Sequence, residues 1–369
     1  MPIRLLLATG IFLVALSATA LAETRIVFIN PGKQDEFFWP AVTDTMRAAA
    51  EQFGYDLDVH YAERDAQAMI RLGLAAIKGE ERPDILILVN EFQAAPDIVK
   101  AANEAGISVL MLLNAFVGQQ AQEMGAPGVK YPHWIGSLVP SNRGAGLRMA
   151  QSLSRCMNDQ PAHMAGGKHH VLVLSGDGRT PASLERTAGM HAALNATHDV
   201  VVDRHYQTNW QAPDADRLTR NYLDWAAAHS IAPAGIWAAN DALAIGALAV
   251  VEERGLVPGR DICIVGLNWS PEAVDLVRQN RMVATDGGHF LAGAWAMVMI
   301  SDYLDKPPGS RQPIGDASFE MAQIDGDNVE RFLSRLADRD WRRIPFHIFK
   351  RGAAGYDFSL ERILDQLGD

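Results

Sequence analysis

The chain has 369 residues, 48% of them hydrophobic and 21% charged, an ordinary globular composition with apolar material for more than one core. Its 33 Lys and Arg stand against 44 Asp and Glu, a formal charge of -11, so no cationic surplus exists to neutralise a phosphate backbone or an anionic membrane. Nucleic acid and lipid headgroups are therefore excluded as leading partners, and the lack of long like-charge blocks argues against disordered tails.

The sequence opens with Arg4, an apolar run over residues 5–16 and the small-x-small triplet Ala20-Leu21-Ala22 ahead of Glu23. This predicts a secretory leader cleaved near Ala22, since a membrane anchor needs about 20 apolar residues. Glu23, not a cysteine, stands directly after the cleavage point, so a freely soluble exported protein suited to a periplasm, not a lipoprotein, is expected.

Residues 25–30 (RIVFIN) then read as a strand running into Pro31-Gly32, 40–53 as a helix stopped by Gly54, 57–61 as a strand and 66–77 as a helix. A third strand at 84–89 (DILILV), a helix at 94–105 and a strand at 108–113 (SVLMLL) follow. Such continuous apolar runs predict parallel strands buried on both faces. The segment 118–140 is less regular. The rhythm resumes with a helix over 142–156, then strands at 171–174, 200–203, 235–238 and 262–265 alternating with helices at 181–194, 214–229 and 241–254. The expected fold is α/β, two doubly wound parallel-sheet lobes in tandem. Cys156 and Cys263 fall in different elements; two separate buried thiols are the expectation, a single disulfide the alternative.

In such folds a ligand sits beyond the carboxyl ends of the strands. Those ends carry Asn30, Lys33, Phe37, Phe38 and Trp39, then Asn90 and Glu91, then Asn114; in the second half they carry Ser175 to Asp177, Trp210, Asn240 with Asp241, and Asn268 with Trp269, with Arg186 on the helix after VLVL. Amides donate and accept like hydroxyls, aromatic faces pack on the C–H faces of sugar-like rings, and a guanidinium forks onto two oxygens. A polyol ligand is the reading. The blander roles are an N-cap for Asn240, core packing for Phe38 and Trp39, a surface ion pair of Arg186 with Glu185, and a bare turn at 175–178. His163, His169 and His170 read as a solvated loop, and neither the common hydrolase and nucleotide-binding motifs nor a metal or cofactor signature is present.

The phrases FFWPAVTDTMRAAAEQFGYDL, PDILILVNEFQAAPDIVKAANEAGISVLML, SLERTAGMHAAL and IWAANDALAIGALAVVEERG followed by DICIVGLNWSPEAVDLVRQNRMVATDGG resemble the type I periplasmic solute-binding proteins, the ribose-binding-like branch that shares its fold with the effector domain of lac-repressor-type regulators. The resemblance runs from about residue 25 to 304. It implies a two-lobed hinged receptor without enzymatic activity, a monomer whose three crossovers fall near Leu138, Ala284 and Glu320. That sets residues 23–138 plus 285–320 in the first lobe, 139–284 plus 321–345 in the second, and 346–369 in a carboxyl-terminal extension.

The resemblance also places ligand contacts at Phe38, Trp39, Asn114, Arg186, Trp210, Asn240, Asn268 and Asp286. Asn114 and Asn268 stand where relatives present carboxylates, and Gly287-Gly288 where a Gln is common. The aromatics, Arg186 and the amides are also similar to the receptor for the furanosyl signal autoinducer-2. The implied membrane partner is an ABC permease, with a sensor kinase as the alternative. The extension reads as packing along one lobe or as a docking surface.

Overall fold

The computed structural model describes residues 24–160 and 166–367, so the leader at 1–22 and His163 lie outside the described residues. Its strands are β1 (Thr24–Asn30), β2 (Tyr55–Tyr61), β3 (Ile85–Leu88), β4 (Ser108–Leu112), β5 (Trp134–Pro140), β6 (His169–Ser175), β7 (Val200–Gln207), β8 (Pro233–Ala238), β9 (Cys263–Leu267), β10 (Ala284–Gly287), β11 (Gly315–Phe319) and β12 (Ala322–Asp325). Its helices are α1 (Phe38–Phe53), α2 (Ala66–Lys78), α3 (Pro96–Glu104), α4 (Gly118–Met124), α5 (Asn142–Asn158), α6 (Pro181–Leu194), α7 (Ala212–Ala228), α8 (Asp241–Glu253), α9 (Pro271–Arg278), α10 (Ala292–Leu304), α11 (Val329–Leu336) and α12 (Leu360–Leu367).

The strands form two sheets of six, in the orders β11-β5-β4-β3-β1-β2 and β12-β10-β9-β8-β6-β7. Every pair is parallel except β10 with β12. The apolar runs ILIL of β3 and CIVGL of β9 are buried along their whole length, as strands covered by helices on both faces must be. The irregular segment 118–140 holds α4 and β5. β5 is hard to see because Gly136 interrupts it, and the glycine is required there: a Cβ would lie 2.5 Å from the Gly315 carbonyl of neighbouring β11.

The chain passes between the sheets after β5, after β10, and between β11 and β12. The second passage begins just beyond Gly287, a few residues past Ala284, because residues 284–286 pair with 265–267 and remain in the second sheet. Cys156 on α5 and Cys263 on β9 are joined in a disulfide with Cα atoms 6.2 Å apart, which overturns the expectation of two separate thiols. α5 packs across β9 and brings together positions 107 residues apart.

The segment after β12, which runs into the carboxyl-terminal extension, crosses both lobes instead of lying along one. α11 packs on α9 and β12 of the second lobe, the turns Trp341–Arg343 and Phe346–Phe349 lie on α1 and α10 of the first, and α12 returns to α11. Gln52 on α1 holds the crossing backbone, its Nε2 donating to the Arg342 and Ile344 carbonyls at 3.2 and 2.8 Å and its Oε1 accepting from the Phe346 amide at 3.0 Å. Phe346, Phe349 and Phe358 then close over Trp295 of α10, with ring centroids 5.9, 4.7 and 4.9 Å away.

Candidate functional site

Each sheet ends in a glycine with an indole folded over it. A Cβ at Gly32 after β1 would lie 2.0 Å from Trp39, and one at Gly176 after β6 would lie 2.0 Å from Trp210, so both glycines are needed for the indoles to lie flat on the strand ends. Trp210 is held further by its Nε1–H, which donates to Asp177 at 3.0 Å. The same Asp177 accepts from the amides of Arg179 and Thr180 at 2.9 and 3.2 Å. The stretch after β6 thus turns the amides of Arg179 and Thr180 onto its own Asp177 carboxylate.

Between the two indoles lies a cavity of about 60 Å³, room for several water-sized groups. Phe38, Trp39, Asn114, Arg186, Trp210, Asn240 and Asn268 all line it, as do Arg64, Glu91, Asn142, Thr180 and His289. Asp286 does not. It lies inside β10, fully buried, and both its oxygens accept from Arg148 on α5, at 2.9 and 3.0 Å. The expectation that it faces the ligand is corrected accordingly.

Arg186 is 4% exposed and not part of a surface pair with Glu185. Its Nε donates to Asn142 at 2.8 Å, one Nη to the Ala239 carbonyl at 2.9 Å and the other to His289 Nε2 at 3.2 Å. All three acceptors are neutral. Burial lowers the Arg186 pKa to about 10, against the pull of Asp286, Glu91 and Asp241, and the guanidinium stays charged.

Because an arginine only donates, His289 must accept at Nε2 and carry its proton on Nδ1, which has no hydrogen-bond partner. Burial and the Arg186 charge hold His289 well below its ordinary pKa, so the ring is neutral. Phe38 stacks on this imidazole with centroids 4.4 Å apart.

Asn240 serves as the N-cap of α8, its Oδ1 accepting from the Leu243 amide at 2.9 Å, while its Nδ2 donates to the Trp210 carbonyl at 3.1 Å. It therefore fixes Trp210, which has a positive φ of 69°. Asn268 and Trp269 also have positive φ, 150° and 56°, strain held by the Asn268 amide bond to the Asp286 carbonyl at 2.8 Å and by Trp269 Nε1 donating to Ala322 at 3.0 Å. The Trp269 indole lies over Gly287 and Gly288, where a Cβ would come within 2.8 and 2.7 Å of it, so a side chain at either position is sterically barred.

Glu91, named at a strand end but not among the expected contacts, lines the cavity too, as do Arg64, Asn142, Thr180 and His289. Glu91 is 4% exposed; its Oε2 accepts from Asn114 Nδ2 at 2.9 Å and its Oε1 lies 3.4 Å from the Thr180 hydroxyl of the second lobe. Burial pushes its carboxyl up to about 7, with Arg64 opposing and Asp177 adding. Asn114 in turn accepts from the Ala182 amide of α6 at 3.1 Å, so residues of the two lobes are bonded directly across the cavity.

Two parallel-stranded lobes bonded across a polar cavity with indole walls define a two-lobed binding protein. The chain belongs to the periplasmic binding protein family: residues 26–308 match the family described as periplasmic binding protein domain. Among curated proteins it is 26% identical over 290 residues to a D-apiose import binding protein of Paraburkholderia graminis, 76% of this chain and 80% of that one. It is 22% identical over 275 residues to a xylitol-binding protein of Mycolicibacterium smegmatis, 74% of this chain and 67% of that one. Among solved structures, a periplasmic sugar-binding protein from Pseudomonas fluorescens superposes with a TM-score of 0.80 at 29% identity, covering 92% of this chain and 99% of that one. A galactofuranose binding protein shares the fold, with a TM-score of 0.72 at 16% identity over 85% of this chain and 98% of that one.

Proposed function

We propose that the protein is a periplasmic receptor that binds a small neutral polyhydroxy ligand between its lobes and delivers it to an ABC importer. The carrying observation is the cavity wall: two indoles, Phe38 against His289, the amides of Asn114, Asn240 and Asn268, and a buried Arg186 whose bonds all go to neutral acceptors. Aromatic faces suit a ring's C–H face, and mixed donors and acceptors suit hydroxyls. The D-apiose and xylitol binders among the relatives support both the ligand class and the transport role. Export through the 1–22 leader belongs to this reading.

The test is a thermal-unfolding screen of the chain from residue 23 against pentoses, hexoses, polyols, furanosyl signals and amino acids. A ligand at about 100 times its Kd stabilises by about 2.7 kcal/mol, a shift of a few degrees at this size. A shift confined to sugars or polyols supports the reading; a shift confined to amino acids refutes it.

A further inference from the structure

We infer that Glu91, and not Asn114, is the first-lobe group that selects the ligand, by accepting a hydrogen bond from a hydroxyl of a neutral sugar or polyol; this rests on the receptor reading above. Asn114 has both ends of its amide engaged, Nδ2 with Glu91 and Oδ1 with the Ala182 amide. It positions Glu91. An aspartate at 114 would set two carboxylates 2.9 Å apart, so the amide at 114 and the acid at 91 form a matched pair.

Counting protons isolates one oxygen. The Thr180 hydroxyl has a single proton and lies 2.5 Å from Asp177 Oδ2 but 3.4 Å from Glu91 Oε1, so the shorter bond takes it. Arg64, whose charge acts on Glu91, directs its Nε and one Nη to Glu36, at 3.0 and 2.6 Å. Once the carboxyl is ionised, above the value of about 7 to which burial raises it, Glu91 Oε1 is thus left with acceptor capacity in the wall of the cavity. Facing it from the second lobe, Arg186 commits three of its five N–H groups, leaving two to donate. A ligand spanning the two walls must donate at the Glu91 end and accept at the Arg186 end. Hydroxyls do both, whereas an anionic ligand group set against the ionised Glu91 would be repelled.

The test is calorimetric titration at about pH 8.5, where Glu91 is ionised, of D-apiose, xylitol, D-allose and myo-inositol into the wild type, Glu91→Gln and Glu91→Asp, each checked for cooperative thermal unfolding. For any of the four that binds the wild type, Glu91→Gln should weaken binding at least about fivefold and Glu91→Asp, which keeps the acceptor, by less. A smaller loss in Glu91→Gln, or equal losses in the two variants, overturns the role of Glu91 and leaves the receptor reading standing. If the wild type binds none of the four, the neutral polyol reading falls and the role of Glu91 falls with it.

Discussion

Arg148 on α5 forks onto both oxygens of Asp286 in β10 and also reaches the stretch between β11 and β12, donating to Glu320 at 3.1 Å and to the Met321 carbonyl at 2.8 Å. One guanidinium therefore ties a second-lobe helix to strand β10 of its own sheet and to the passage between β11 and β12. Asp286→Asn keeps the shape and removes the buried charge opposite Arg148. It should cost about 2–4 kcal/mol of stability in urea denaturation. Unchanged stability would show that the pair serves geometry alone.

The disulfide closes a loop of 107 residues within the second lobe. Reduction should lower stability by about 2–4 kcal/mol through the released chain entropy, and leave sugar affinity unchanged because neither cysteine lines the cavity. Denaturation and titration with and without reductant measure both quantities; a large change in affinity would tie the staple to the binding site.

Glu91 gives stability a pH dependence of definite sign. With its carboxyl raised from 4.5 to about 7, the folded protein retains in that window a proton the unfolded chain has lost, so this group's contribution to stability falls as pH rises. Glu91→Gln removes the slope. The variant should gain about 1–3 kcal/mol on the wild type between pH 4.5 and 7.5, read by urea denaturation across that range. Asp241, raised to about 6 mainly by burial, acts in the same direction in both proteins and cancels in the difference. A gap that does not change with pH would mean that Glu91 titrates as it does in water.

Arg186→Lys tests fork geometry separately from charge. A lysine keeps a cation but cannot reach Asn142, the Ala239 carbonyl and His289 together. Affinity for a bound sugar should drop about tenfold or more, roughly 1.4 kcal/mol, with a cooperative unfolding transition retained. Retained affinity would leave the guanidinium a purely structural role.

Much of the fold was legible because parallel strands covered on both faces must be apolar throughout, and ILIL and VLVL satisfy that with no reference to distant residues. β5 was not, since Gly136 answers to Gly315 some 180 residues on and breaks the local pattern. Seven of the eight expected site residues line one cavity because strand ends converge there. Asp286 failed the same rule by lying inside its strand, and its side chain answers to Arg148 on α5. Glu91 stood at a strand end in VNEFQ, but its burial and its bond to Asn114, 23 residues away, were not legible in the sequence. The chain partner of Cys156 was likewise hidden, since sequence alone does not say that α5 crosses β9.

The routing of the last segment has a consequence for the order of assembly. The first lobe takes its edge strand β11 from residues 315–319 and the cover of Trp295 from Phe346, Phe349 and Phe358. The amino-terminal half thus cannot complete its packing until nearly the whole polypeptide is available. The last residues made are thus the ones that finish the lobe begun first.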